Sequence, residues 1–412
     1  MRGTGVTGRQ ERLARRALAQ ELPGAALPGG EGVSGDRISL GWGYPDPATF
    51  PVAELEAALR QALAAEPDRL LQYGGGSAPS RARRALAELL GRRGLAVEPE
   101  ELFLTAGSTR GFDAVARLFL DPGDPVWVEQ PAYYGALRVF GLHEARLRGV
   151  PCDEQGVDVE RLEEALKEAA PAERPKFLYV VPSFQNPTGA LLPEERRRRL
   201  AELAEAYDFY LVEDDAYAEL WFDEPPPPRL KALAPERVVL LGTFSKLVAP
   251  GLRLGWCLPP RHLREAYARV QPGGEGVALA AAAVAGYLEA RDGEGVPLFE
   301  RHVAELRRHY GARRDVLEAA LGRELGGRLH WSRPGGGFFH WVTLPPGVQA
   351  EALLEAARRH GVDFVAGEAF FLGREGGDRA RLCFSFVPAE ALEEGARRLR
   401  AALDEVEGRR AG

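Results

Sequence analysis

The stretch Val238-Val239-Leu240-Leu241-Gly242-Thr243-Phe244-Ser245-Lys246 passes from four consecutive apolar residues, through a turn of small residues, to a lysine. An apolar run of this length without polar alternation suits a parallel strand covered on both faces. The glycine that follows marks its end. Similar short runs occur at 102–105, 126–129, 176–181 and 209–212, each closed by polar or turn-forming residues. Helical spacing of apolar residues fills the intervals at 108–120, 133–140 and 193–207, and precedes them at 51–65 and 81–90. Strand and helix alternating over about 200 residues predict a layered α/β fold with a mostly parallel central sheet flanked by helices.

Beyond Pro260 the pattern changes. Helical stretches at 277–290 and 296–321 lead to strand-like segments at 329–331, 338–343, 363–365 and 379–384, with helices at 351–360 and 388–406. This order predicts a smaller α+β C-terminal domain. The chain has 412 residues, more than the ~250–300 at which one core stops growing. We therefore divide it into an N-terminal arm (1–40) packing with the small domain, a large domain (41–289) and the small domain (290–412).

Composition narrows the function. There are 53 basic and 60 acidic side chains, a net charge of −7, with 45% apolar and 27% charged residues. That is an ordinary soluble composition and offers no electrostatic reason to expect nucleic acid or an anionic membrane. Cys152, Cys257 and Cys383 lie far apart with no C-x-x-C, and the seven histidines form no H-x-H or H-E-x-x-H pair, so no metal site is read. The apolar stretch 277–288 is shorter than the roughly 20 residues needed to span a bilayer. Residues 1–30 lack the apolar core of a signal peptide. A cytoplasmic enzyme is expected.

Only four lysines occur, Lys167, Lys176, Lys231 and Lys246. Lys246 alone is set among small and apolar residues at a strand end. A nucleophilic lysine needs such partial desolvation to bring its pKa toward neutrality. In an open parallel sheet, ligands bind outside the carboxyl ends of the strands, so the other strand ends carry the remaining candidates. Ala106-Gly107-Ser108-Thr109 opens a helix and suits either an ordinary N-cap or a phosphate. Tyr133 suits stacking on a flat ring or simple burial. Gln185-Asn186-Pro187-Thr188-Gly189 has the composition of a turn. Glu213-Asp214-Asp215-Ala216-Tyr217 places three acids where they must reach solvent or meet a cation. Arg381, on an alternating strand, suits a carboxylate or a surface salt bridge.

Taken in order, Asn186-Pro187-Thr188-Gly189, Glu213-Asp214-Asp215-Ala216-Tyr217, Thr243-Phe244-Ser245-Lys246 and Pro250-Gly251-Leu252-Arg253-Leu254-Gly255 resemble the pyridoxal-phosphate-dependent aminotransferases of fold type I, class I/II, and within them the 2-aminoadipate/kynurenine aminotransferase-like branch. Asp214 follows Asn186 by 28 positions, Tyr217 follows Asp214 by three and Arg253 follows Lys246 by seven, as in that family. The resemblance runs from about Gly41 to Val406. It implies that Lys246 forms the Schiff base with the cofactor and shuttles the proton. Asp214 would pair with the ring nitrogen, Asn186 and Tyr217 with the ring oxygen, and Tyr133 would stack on the ring. Ser108, Thr109, Ser245 and Arg253 would hold the phosphate, with Thr243 assisting. Arg381 and Asn186 would bind the substrate carboxylate, beside Gly43 and Tyr44. Tyr73 would reach the phosphate of a neighbouring subunit, which implies a homodimer with shared sites.

The chain departs from the family in three places. The loop 74–80 after Tyr73 is shortened, Val365-Ala366-Gly367 stands where a proline often precedes the glycine, and Gly41-Trp42-Gly43-Tyr44-Pro45 is bulkier than the usual Gly-Gly-x-Pro. The activity implied is a ping-pong transfer of an amino group from an L-amino acid to a 2-oxo acid, with 2-oxoglutarate the expected acceptor. Other chemistry from the same residues (β-elimination, decarboxylation or oxidation) is the alternative. An effector-binding domain of a transcription regulator is disfavoured, because only about 40 residues precede the catalytic domain, too few for a DNA-reading module. Arg9, Arg12, Arg15, Arg16 and Arg37 in the arm suit a solvated helix face or the reading of an acidic side chain.

Overall fold

Short apolar segments with side chains on both faces form the centre of the computed structural model, which describes residues 37–271 and 276–411. The expectations for Arg9, Arg12, Arg15, Arg16 and the rest of the arm up to residue 36 lie outside the described residues. Among the described residues, one sheet has the strand order Phe103–Thr105, Gly255–Leu258, Val238–Thr243, Tyr210–Asp214, Phe177–Val180, Pro125–Gln130, Arg146–Asp153 and Gly156–Val157. The four pairings from Val238–Thr243 to Arg146–Asp153 are parallel. Gly255–Leu258 runs antiparallel to both of its neighbours.

The two-residue period of each strand divides its side chains between two cores. Val126, Val128, Phe177, Tyr179, Val212 and Val239 pack on one face, against the helices Ser108–Phe119 and Tyr134–Leu142. Trp127, Leu178, Val180, Leu211 and Val238 pack on the other, against Val159–Glu168 and Glu194–Ala206. Each such side chain, fully buried, contributes about 1.5–3 kcal/mol of hydrophobic stabilisation. Continuous apolar runs are what this double covering requires.

A second, antiparallel sheet has the order His330–Trp331, Phe339–Thr343, Arg379–Cys383 and Val365–Ala366. The helices Leu298–Leu325, Ala350–Arg359 and Ala389–Ala411 accompany it. Ile38–Ser39 pairs in parallel with Val362–Asp363, so the described end of the arm joins this C-terminal half. The expected strand at 363–365 is thus two short ones with different partners. No described helix is long and apolar enough to cross a membrane.

Two strands carry no clear sequence signal. Arg146–Asp153 lies near the sheet edge, largely exposed or half-buried, and includes Gly149 and Pro151. Gly255–Leu258 is fully buried, but its four residues follow directly on the polar turn around Arg253. The helix Val159–Glu168 does carry a signal: Asp158 caps it, its side chain accepting from the Arg161 N–H at 2.9 Å.

Candidate active site

The ends of Phe103–Thr105, Pro125–Gln130, Phe177–Val180, Tyr210–Asp214 and Val238–Thr243 all face the same edge of the large sheet. A cavity of about 330 Å³ opens there. Its lining includes Ser108, Thr109, Tyr133, Asn186, Asp214, Tyr217, Thr243, Ser245, Lys246 and Arg253 from the large-sheet side. Gly43 and Tyr44 line it from the N-terminal strap, and Arg381 from the second sheet. Tyr73 is the exception. It is wholly exposed and lines an adjoining groove that shares Arg253 with the cavity.

The three acids after Leu211-Val212 separate by strand parity. Glu213 accepts from the backbone N–H groups of Leu230 and Lys231 at 3.0 and 2.9 Å, and Asp215 pairs with Arg229 at 2.7 Å. Both therefore turn toward residues 229–231. Asp214 points to the other face, into the cavity. Its Oδ2 accepts from the Tyr179 hydroxyl at 2.8 Å, and its Oδ1 is buried without a partner. Burial pushes the Asp214 carboxyl up to about 7, against the lowering effect of the Tyr179 hydrogen bond. A buried acceptor with an unused oxygen suits a ligand N–H.

Lys246 projects into the same space. Burial pulls its amine down to about 8, and Nζ donates to the Gly43 carbonyl at 2.8 Å. Lys231, in the short helix Leu230–Leu233 and not at a strand end, is desolvated too. It is also buried and lowered to about 8, but Nζ donates to the Pro235 and Val238 carbonyls, away from the cavity.

At one end of the cavity the helix Ser108–Phe119 begins at Gly107 with no side-chain cap. Gly107 has φ +83°, and a Cβ there would lie 2.3 Å from Arg253 Nη2. Only glycine lets the guanidinium approach this closely. Arg253 itself adopts the left-handed conformation, which turns the chain into Gly255–Leu258. Ser245 and Thr243 are linked Oγ to Oγ at 2.9 Å. An uncapped helix N-terminus beside an arginine and hydroxyls suits a phosphate.

Arg381 is almost wholly buried rather than exposed in a surface salt bridge. Nη1 donates to Asn186 Oδ1 at 2.8 Å and Nη2 to the Gly41 carbonyl at 2.7 Å, while Nε is buried without a partner. Its guanidinium lies 4.2 Å from the Phe339 ring centre and 5.0 Å from that of Phe370.

Three residues escape the sequence reading. Tyr179 orients Asp214. Glu129 Oε2 accepts from Val181 N–H at 3.0 Å and from Gln185 Nε2 at 3.2 Å, joining the loops that carry Tyr133 and Asn186. Phe339 supports Arg381. All three lie within strands, where nothing in the sequence separates a core residue from one that supports a site.

The cavity thus offers an anion cradle, a buried acceptor for a ring N–H, an aromatic face, a lowered amine and a carboxylate-binding arginine. These fit a flat phosphorylated heterocycle bearing a carbonyl, together with an amino or 2-oxo acid. Sequence comparison agrees with this chemistry. Residues 36–399 match the family described as aminotransferase class I and II. The chain belongs to that family. It is 37% identical to an aromatic-amino-acid aminotransferase of Thermococcus litoralis, over 90% of this chain and 88% of the relative. The kynurenine aminotransferase of Pyrococcus horikoshii, solved with PMP, is similar at TM-score 0.83 and 38% identity, over 90% of this chain and 92% of that one. The alpha-aminoadipate aminotransferase of Thermus thermophilus, complexed with N-(5'-phosphopyridoxyl)-L-leucine, is similar at TM-score 0.86 and 35% identity, over 98% and 100%.

Proposed function

We propose that this protein transfers the amino group of an L-amino acid to a 2-oxo acid, with pyridoxal 5'-phosphate as cofactor, 2-oxoglutarate as acceptor and ping-pong kinetics. The observation that carries this reading is the meeting, in one cavity, of the lowered Lys246 amine and the unpaired Oδ1 of Asp214. When bound, the cofactor supplies an electron sink for the substrate α-carbon. The chain supplies the rest. Lys246 Nζ would hold the cofactor carbonyl and would serve as the base that takes the proton from the substrate α-carbon. Asp214 accepts the ring N–H and keeps that nitrogen protonated. Asn186 and Tyr217 bind the ring oxygen, and Tyr133 covers a ring face. Ser108, Thr109, Ser245 and Arg253 hold the phosphate with Thr243 behind them. Arg381, steadied by Asn186, grips the substrate carboxylate.

In this reading residues 41–289 form the cofactor-binding domain, residues 290–412 bring Arg381, and the described end of the arm, Ile38–Ser39, packs with the latter. We assign a homodimer with shared sites. Exposed Leu71, Tyr73 and Leu279 surround the groove next to Arg253, which suits a second copy that inserts its own Tyr73. The three cysteines are unpaired, as suits the reducing cytoplasm in which we place the enzyme.

The deciding experiment adds single amino acids to the cofactor-loaded protein without an acceptor. The bound aldehyde absorbance should give way to that of the aminated cofactor, and 2-oxoglutarate should restore it with release of glutamate. An unchanged spectrum with every amino acid overturns the proposal. So does release of ammonia, CO2 or peroxide without a co-substrate.

A further inference from the structure

Three cationic side chains line the cavity among the described residues: Lys246, Arg253 and Arg381. The proposed reaction engages all three, with the cofactor carbonyl, its phosphate and the substrate α-carboxylate. None of them is left for a second carboxylate on the substrate side chain.

The remaining wall is aromatic. The Trp42 and Tyr44 rings stack at 4.8 Å with 26° between their planes, and Tyr44 meets Phe386 edge-on at 5.8 Å. Between them, Gly43 lies against Phe339, for a Cβ there would come within 2.8 Å of Phe339 Cζ. Phe339 is the ring that supports the Arg381 guanidinium. The stack therefore adjoins the carboxylate anchor, where a substrate side chain must pass. Val365 adds a further apolar surface.

The segment bearing this stack is fixed at both ends. Cys383 N–H donates to the Leu40 carbonyl at 2.7 Å, and Ser385 Oγ donates to the Tyr44 carbonyl at 2.7 Å. Asp46 pairs with Arg313 at 2.5 Å and with His309 at 3.0 Å, and its N–H donates to the Tyr310 hydroxyl. Rings held in advance give affinity without a large ordering cost. A carboxylate pressed against them would lose water and gain no partner cation among the described residues. Tyr44 is 46% exposed, so the far end of the wall is open to water. A dicarboxylic acid, donor or acceptor alike, can still enter with its second carboxylate solvated there, but it gains none of the contacts that the rings offer an aromatic or bulky apolar side chain.

Resting on the aminotransferase reading, we infer that the Trp42–Tyr44 stack is the specificity determinant of this site and that it selects amino donors with aromatic or bulky apolar side chains over dicarboxylic ones.

Two unreactive carboxylates test this on the cofactor-loaded protein by calorimetric titration, 3-phenylpropionate and glutarate. Neither carries an amine, so no turnover intervenes. The first should bind at least tenfold tighter. Trp42→Ala and Tyr44→Ala should each weaken 3-phenylpropionate about tenfold, as loss of one aromatic contact does, and change glutarate less than twofold. Trp42→Phe and Tyr44→Phe keep the wall and should restore most of the affinity, which separates lost contact from lost fold. In steady state, kcat/KM for phenylalanine and leucine should exceed that for 2-aminoadipate by at least tenfold. Equal binding of the two probes, or equal loss of both in the alanine variants, overturns the inference. Amine transfer with no such preference sinks this inference alone, whereas failure of every amino acid to aminate the cofactor sinks the reaction assignment.

Discussion

Tyr179 donates its hydroxyl hydrogen to Asp214 Oδ2 at 2.8 Å, from the neighbouring strand and from full burial, with Phe112 and Phe140 edge-on at 5.7 Å. The bond leaves Oδ1 as the oxygen available to the cavity. Tyr179 thus sets which way the carboxylate faces without touching the ligand. Tyr179→Phe should keep the fold and slow cofactor amination about ten- to a hundredfold, the range for a hydrogen bond to a charged group. Because that bond lowers the Asp214 pKa, its loss should move the acid limb of the amination rate profile to higher pH. Stopped-flow spectra across pH check both outcomes; a smaller rate with an unmoved limb would leave Tyr179 a packing residue only.

Gly107→Ala combines a backbone conformation that is open essentially to glycine alone with a Cβ 2.3 Å from Arg253 Nη2. Cofactor affinity should fall more than tenfold and the melting temperature of the cofactor-free protein should drop. Equilibrium dialysis and calorimetry measure the two. Unchanged affinity would remove the phosphate from this end of the cavity.

Glu129 gives a pH signature in stability. Burial pushes its carboxyl up to about 7, well above the usual carboxylate range. A folded pKa raised in this way adds stability below the unfolded value near 4.5, and that stability is lost as pH rises through about 7. Glu129→Gln carries no charge at any pH. Its melting temperature should therefore gain on wild type between pH 5 and pH 8, measured without cofactor. A constant difference across that range contradicts the assignment.

Lys246→Ala should abolish borohydride-stable attachment of the cofactor, read by mass spectrometry, with the circular dichroism spectrum unchanged. In wild type the amine must be neutral to attack an aldehyde, and its pKa lies at about 8. The rate of attachment should rise up to about pH 8 and then level. A reducible covalent cofactor persisting in the variant would place the nucleophile elsewhere.

The legible parts of this molecule are those with a local cause. The parallel strands announce themselves through runs such as 238–241, since two-sided burial leaves no room for polar alternation. The cavity residues at strand ends are visible because small, hydroxylic and charged residues there interrupt an apolar pattern. Tyr179, Phe339 and Glu129 give no such sign, because their partners Asp214, Arg381 and Gln185 are brought by other segments. Lys231 misleads although its partners are close in sequence, four and seven positions on. The carbonyls of Pro235 and Val238 that make its burial tolerable are set by the fold and not by its neighbours' composition. The strand Arg146–Asp153, next to the sheet edge, is hidden because only Val150 in it is buried, so no regular apolar pattern marks it.

Glu213 and Asp215 turn to one side of their strand and Asp214 to the other. Phase along the segment Tyr210–Asp214 is therefore a heritable property of the site, separate from the identity of any residue in it. A single-codon insertion or deletion there would exchange the cavity acid for one committed elsewhere, while a change of two codons would restore the alternation. An even step would still slide the carboxylate roughly 7 Å along the strand and away from Tyr179, so changes of length in this part of the gene are expected in the loops.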